Sequence, residues 1–211
     1  MGFMSAWGIS AHPDTVMAEL ALRLLPAMEA DRTTPGAQER WHAWQRAPLP
    51  DHRTWYAAGR LGSAEEDAIE SFREMTTPGS HVDRLCDGVA DPDFYVVDDV
   101  WVGRDLGHIF VSVHSKDYAV ASLFQSLGPA RAALLPGWCG NFVLTAAEVR
   151  EALPRVEAAF AFTPAERAAA EDRDWLYYGA DEESVLDGPP RVWRNAARDG
   201  LGLCAVALHL T

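Results

Sequence analysis

Cys139 stands in the segment LLPGWCGNF, residues 134–142, between Gly137 and Gly140 and two residues before Asn141. A thiol in a flexible turn is a candidate nucleophile, and such a thiol needs a histidine base, often with an orienting amide or carboxylate. Only His209 follows Cys139, and no asparagine follows His209, so the cysteine, histidine, asparagine order of papain-like enzymes is missing. His108 and His114 remain as bases that a fold could bring to the thiol. The competing reading is packing, since cysteine is among the most buried residue types and behaves as a small hydrophobe. On that reading the glycines turn the chain into a strand at NFVLT, Trp138 and Cys139 pack, and Asn141 satisfies loop backbone groups.

Carboxylates form a second candidate. Asp91, Asp93, Asp98, Asp99 and Asp105 crowd the segment DPDFYVVDDVWVGRD against Arg104 alone. Such a group holds a cation, pairs a general acid with a base, or presents a charged binding face. From Asp51 to Gly107 there are 13 acids and 5 bases, a net of -8 out of the chain's -13, so the acidity is concentrated. That concentration favours a face for a basic partner over evenly spread solubility. The competing reading makes Asp98 and Asp99 the turn of a tight hairpin and the others its solvated ends. Trp41 and Trp44, at i and i+3 among Arg40, His42, Gln45 and Arg46, extend the candidate face, and Trp55 and Tyr56 follow. Tryptophans anchor interfaces, but most fill cores, and core is the reading for Trp101, Trp175 and Trp193.

No metal site is assigned. His12 with Asp14, and His81 with Asp83, have an i, i+2 spacing that converges on an ion only from a suitable loop. His108 and His114, read as one strand face with Phe110 and Ser112, stand about 20 Å apart along six residues of strand. The sequence contains no paired CxxC, HExxH, or HxE with PCxxC. It also lacks GxxxxGK[ST] and GxSxG, and the GxG of DGLGL runs from helix to strand, the reverse of a dinucleotide-binding turn. No cofactor is implied.

The elements that must position these groups follow from composition and punctuation. The 211 residues suit one domain, and 48% hydrophobic with 23% charged residues reads as globular. No apolar run approaches the roughly 20 residues of a membrane span, and no basic, then apolar, secretory leader opens the chain. Cys86, Cys139 and Cys204, odd in number, argue for a reducing cytoplasm. Lys116 is the only lysine beside 17 arginines, and the excess of 31 acids over 18 bases disfavours nucleic acid. Helices are expected at residues 15–30 and about 37–47, and after the caps SAEE at Ser63, TAAE at Thr145 and TPAE at Thr163. Another is expected from PPRVWRNAARDG to its stop at Gly200. Pro154 predicts a kink or stop in the helix after Thr145. Strands are expected in a hairpin or meander through residues 94–114, at NFVLT, and at LGLCAVALHL, which is apolar on both alternating faces like a central strand. The result is a single α+β domain of six or seven helices around a small mixed sheet.

From GNFVLTAAEVREALPRVEAAF through RVWRNAARDGLGLCAVALHL, the chain resembles small uncharacterised actinobacterial proteins of unknown function. Its opening MGFMSAWGIS, with the closing helix and apolar strand, is similar to the bacterial YfbM-like family. The resemblance implies a cytoplasmic α+β domain and no substrate. The preferred functional expectation is a protein-binding module, immunity- or inhibitor-like, whose acidic face engages a basic partner. The alternatives are a small enzyme using Cys139 or a histidine beside the acidic cluster, and a small-ligand sensor with an aromatic pocket.

Overall fold

A computed structural model describes residues 2–47, 49–55, 62–86 and 91–210; Tyr56 lies outside them. In chain order the elements are β1 (Met4–His12), α1 (Asp14–Arg32), α2 (Ala37–Arg46), a 3-10 turn at His52–Thr54, α3 (Ser63–Thr76) and α4 (Ser80–Cys86). A π-helical turn at Val97–Trp101 and a 3-10 turn at Leu106–His108 lead into β2 (Ile109–Ser115). Then come α5 (Ala119–Ala132), β3 (Phe142–Leu144), α6 (Ala146–Phe160), α7 (Pro164–Arg173), α8 (Gly188–Asp199) and β4 (Gly202–Leu210). The class is α+β.

The sheet runs β2-β1-β4-β3, and its three pairings are all antiparallel, which corrects the expected mixed sheet. Two connections return the chain to the end of the sheet it left: Ser10 near the end of β1 lies opposite Ile109 at the start of β2, and Leu144 at the end of β3 lies opposite Leu203 near the start of β4. Reversed neighbours need no crossover to the far end. β4 is an inner strand, as its two apolar faces require. Leu203, Ala205 and Ala207 enter one core; Cys204, Val206 and Leu208 enter the other.

The other inner strand is β1, where none is expected. Ser5, Ala6, Gly8, Ser10 and Ala11 have modest β propensity, and the strand forms because both its faces are covered. Gly8 is required by close approach: a Cβ there would stand 2.4 Å from the ring of Trp101. The first core, around Trp7, Ile9 and Phe110, is completed by α5, α6 and α8. The second, under α1 and α4, holds Met17, Leu20, Leu24, Val82 and Trp101.

The expected hairpin through 94–114 does not form. Val97–Trp101 winds as a π-helical turn, with Val102 N donating to Val97 O at 2.9 Å, and the strand begins only at Ile109. Burial of Phe94, Val96, Val100 and Trp101 against the second core overrides the β preference of these residues. β2 takes β1 as its partner instead. α5 also goes unexpected because it is buried all round and shows no amphipathic stripe. The caps at Thr145 and Thr163 form as expected, each glutamate accepting from the backbone N–H of its threonine at 2.8 Å. At α3 the device shifts by one residue: Glu65 accepts from Gly62 N, and Ser63 is already helical. Pro154 does not stop α6, which continues to Phe160. Among the described residues, no helix is long and apolar enough to cross a membrane.

Candidate functional site

Among the described residues, a cavity of about 540 Å³ opens between two aromatic walls. One wall is Trp55 edge-on to Trp175 at 5.3 Å, with His52 5.6 Å from Trp175. The other is Phe3 stacked on Tyr118 at 5.0 Å. Arg53, Arg73, Lys116 and Asp117 complete the polar lining. A concave site of a few hundred Å³, mostly apolar and with a few converging polar groups, is the usual form of a small-molecule pocket.

Each wall is braced from behind. Asp174 accepts from the Ser122 hydroxyl at 2.6 Å, the Tyr178 hydroxyl at 2.7 Å and Leu176 N at 3.1 Å, fixing the loop that carries Trp175. Arg53 donates to the Asp172 carboxylate and to Asp172 O, and so ties the His52–Thr54 turn to the end of α7. On the opposite side the Tyr118 hydroxyl lies 2.9 Å from His209 Nε2, and His209 Nδ1 lies 2.9 Å from Asp83 Oδ2. Asp83 also accepts from His209 N. The order hydroxyl, imidazole, carboxylate is that of a catalytic triad with a phenol in place of serine. Burial raises the Tyr118 phenol, opposed by a hydrogen bond with Thr77, so the group stays protonated and serves as a donor that fixes the wall.

Cys139 lies elsewhere. Trp138 and Asn141 exchange two backbone hydrogen bonds of 2.9 Å, and between them Cys139 and Gly140 have φ of +46° and +81°. Positive φ at both central residues is the signature of a type I′ turn, which favours asparagine, aspartate or glycine. The thiol is 8% exposed and burial pushes it far up, so it is not poised as a thiolate. Asn141 reaches out of the turn, and its Oδ1 accepts from Ala207 N at 2.7 Å, satisfying a β4 backbone group beside β3. The packing reading of this loop therefore has direct geometric support.

The two histidines named as bases are occupied apart from the thiol. His108 closes a 3-10 turn rather than lying on a strand, and its Nε2 is 2.7 Å from Asp199. That contact and Arg198 hold Asp199 well below the usual carboxylate range, Arg198 contributing more. His114 Nε2 is 2.7 Å from the Ser112 hydroxyl, and burial lowers its pKa against nearby carboxylates. Neither imidazole lines the two smaller cavities that touch Cys139. The spaced pairs separate too: His12 contacts Ser10, Asp14 accepts from Ala146 N, His81 pairs with Asp31, and Asp83 with His209. Among the described residues, no three His, Cys, Asp or Glu side chains gather as a metal set.

The five aspartates of 91–105 are partly committed to local structure. Asp91 binds Arg23 and accepts from Asp93 N, Asp99 accepts from Tyr95 N at 2.8 Å, and Asp105 accepts from Gly107 N at 2.7 Å. Asp98 and Asp99 belong to the π-helical turn, not to a hairpin tip. Asp93 and Asp98 are exposed, and Tyr95, Val97, Val102 and Leu106 are exposed near them. Trp44 is buried and stacks on Phe124 at 5.7 Å, so it offers no binding face. Trp41 is half-buried in the same group of rings, which continues through Phe72 to Trp55 and the cavity. Trp101 and Trp193 are core residues, whereas Trp175 is a cavity wall.

Phe3, His52, Arg53, Arg73, Lys116, Tyr118 and Trp175 were not expected as site residues. They come from five separate stretches, and no local spacing links them. The one available signal was the lone lysine, Lys116. Comparison with known proteins gives no match for the chain: no family model, no curated protein and no solved structure.

Proposed function

We propose that the protein binds a small cyclic organic molecule in the cleft between the Trp55–Trp175 and Phe3–Tyr118 walls. The observation that carries this reading is the pair of braced aromatic walls around about 540 Å³, a volume suited to a metabolite-sized ligand. Aromatic faces stack on flat rings and exclude water, and the charged groups beside them orient a polar substituent. This is the reading of a small-ligand sensor with an aromatic pocket, and it is supported over the nucleophile because the cleft supplies binding groups while Cys139 is buried in its turn.

Intrinsic fluorescence across a panel of cyclic metabolites tests it directly, because Trp55 and Trp175 form the wall. The expected result is at least one ligand that quenches or shifts the emission of the native chain and fails to do so in Trp175→Leu. A panel that leaves the emission unmoved overturns the reading.

The second reading is the basic-partner module. Asp93 and Asp98, exposed beside Tyr95, Val97, Val102 and Leu106, support it, because an apolar patch rimmed by charge is the composition of a docking surface. Capture of a basic protein that is lost on reversing Asp98 and Asp93 would favour this reading; unchanged capture would remove its electrostatic basis.

A further inference from the structure

The sheet has one side that the fold closes and one that it leaves open. The β4 groups turned away from β1 are all met: Leu203 and Ala205 face β3, Ala207 N donates to Asn141 Oδ1 at 2.7 Å, and His209 N donates to Asp83 Oδ1 at 2.6 Å. At the other side, Lys116 N donates to Phe3 O, which lies opposite it in the β1–β2 register. Facing residues of an antiparallel pair alternate between exchanging hydrogen bonds and turning them outward. His114, Ser112 and Phe110 therefore bond to β1, while Ser115, Val113 and Val111 turn their N–H and C=O groups away from the sheet. Ile109 shares that outward parity, and Arg191 Nη2 caps its carbonyl at 2.9 Å. Among the described residues, nothing meets the outward groups of Val111, Val113 and Ser115.

We propose that this open edge takes an extended basic segment of a partner protein as a fifth, antiparallel strand, with apolar side chains beside Val111 and Val113 and lysines or arginines toward Glu182 and Asp117. The inference is independent of the cleft. It gives the basic partner of the second reading a surface that needs neither Asp93 nor Asp98.

Strand edges are normally blunted by lysine, proline, a bulge or a covering loop. β2, IFVSVHS, has no lysine, proline or glycine and keeps an unbroken register. From Val111 to Ser115 the free stretch spans about 17 Å. The two faces beside an added strand differ. On one, Val111 and Val113 are 38% and 41% exposed, and Met4, opposite Ser115, shares that face. On the other, Tyr178 stands edge-on to His114 at 5.9 Å, and the carboxylates of Glu182, Asp117 and Asp174 act on the same imidazole. Asp174 is committed to its brace, whereas Glu182 and Asp117 form no ion pair with any described residue. Lys116, just past the strand, has its stem against Gly2 on the β1 side.

Charge selects the occupant. A second copy paired through β2 would set one chain of net charge -13 against another and bring no base but His114 to the join. A basic strand meets the two free carboxylates. Its main chain supplies affinity, and its alternate side chains supply specificity.

Fluorescein-labelled heptapeptides that alternate lysine and valine test the edge, with fluorescence anisotropy at low salt as the readout. In the antiparallel pairing the valines stand opposite Val111, Val113 and Ser115 and carry the bonds to β2, and the lysines turn theirs outward. The expected result is binding at least tenfold tighter than that of a glutamate–valine heptapeptide. N-methylation of the valines should weaken it at least tenfold, and N-methylation of the lysines should leave it unchanged. Val113→Lys should cost at least fivefold and Glu182→Gln about threefold, with circular dichroism and thermal melts confirming that each variant folds. Saturating lysine–valine peptide should also slow hydrogen exchange at the Val111, Val113 and Ser115 amides of the native chain. Absence of binding, indifference to valine N-methylation, or unslowed exchange at those amides overturns the edge. Equal binding of the lysine and glutamate peptides, with exchange slowed, overturns the basic occupant. Binding that is lost in Asp98→Lys yet indifferent to valine N-methylation overturns the edge and leaves the second reading standing.

Discussion

At residues 91–105 five aspartates stand in fifteen positions; at the cleft, the charged side chains arrive one or two at a time from distant stretches. The dense cluster spends much of its charge locally: Asp91 on Arg23, Asp99 on Tyr95 N, Asp105 on Gly107 N. The sparse group sits at the rim of a concave, aromatic space, where Lys116 keeps its charge unpaired by any described residue. Charge that is dense along a chain has backbone donors within reach, because aspartate caps its own turns. Charge assembled by the fold finds its partners in distant stretches instead, as Arg53 does at Asp172.

Acid stability offers the largest effect on this comparison. His12 is fully buried against Ser10, and burial, aided by the charge of Arg104, lowers its pKa to about 4. The unfolded imidazole takes up a proton near pH 6.5, the folded one only near 4. The stabilisation from keeping His12 neutral is therefore complete above about pH 6.5 and is lost as pH falls toward 4, to a limit of about 3 kcal/mol. Urea unfolding at stepped pH should show this loss, and His12→Asn should flatten it.

Next in size is the brace of the cleft. Asp174→Asn takes the acceptor charge from two hydroxyls and a backbone N–H and should cost about 2 kcal/mol in urea unfolding. It should also weaken binding of 8-anilinonaphthalene-1-sulfonate in the cleft by loosening Trp175. Loss of stability with unchanged binding of that dye would break the link between brace and wall.

Smaller effects divide the acidic segment itself. Asp99→Ala should cost about 1 kcal/mol because it frees Tyr95 N, whereas Asp98→Asn should change stability by less than about 0.5 kcal/mol. Equal effects at the two sites would mean that the carboxylates act through their summed field. Last, a thiol reagent should label the native chain far more slowly than the urea-unfolded chain, since Cys86, Cys139 and Cys204 are all buried. Rapid labelling of Cys139 alone would restore it as a reactive group.

The same division between local and assembled features explains what could be read from the sequence. The caps at Thr145 and Thr163 and the stop at Gly200 are set by neighbours within a turn, and they appear where expected. β4 was legible because both its faces are apolar. β1 was not, because Gly8 and its alanines and serines answer to Trp101 and the covering helices. The π-helical turn failed the β reading for the same reason: Val96, Val100 and Trp101 follow the second core rather than their own preference. Trp44 looked polar from its neighbours, yet it stacks on Phe124, which is 80 residues away in sequence. The cleft was the least legible of all, because Phe3, Trp55, Tyr118 and Trp175 meet only in the folded chain.

The most direct measurement follows the tryptophan indole and backbone amide signals of isotope-labelled protein during titration with 8-anilinonaphthalene-1-sulfonate. Binding in the cleft predicts saturable shifts of the Trp55 and Trp175 indole N–H signals and of the Lys116 amide, with the amides of Asp93 to Leu106 unmoved. Saturable shifts confined to Asp93 to Leu106, with both indoles and Lys116 unchanged, would contradict it.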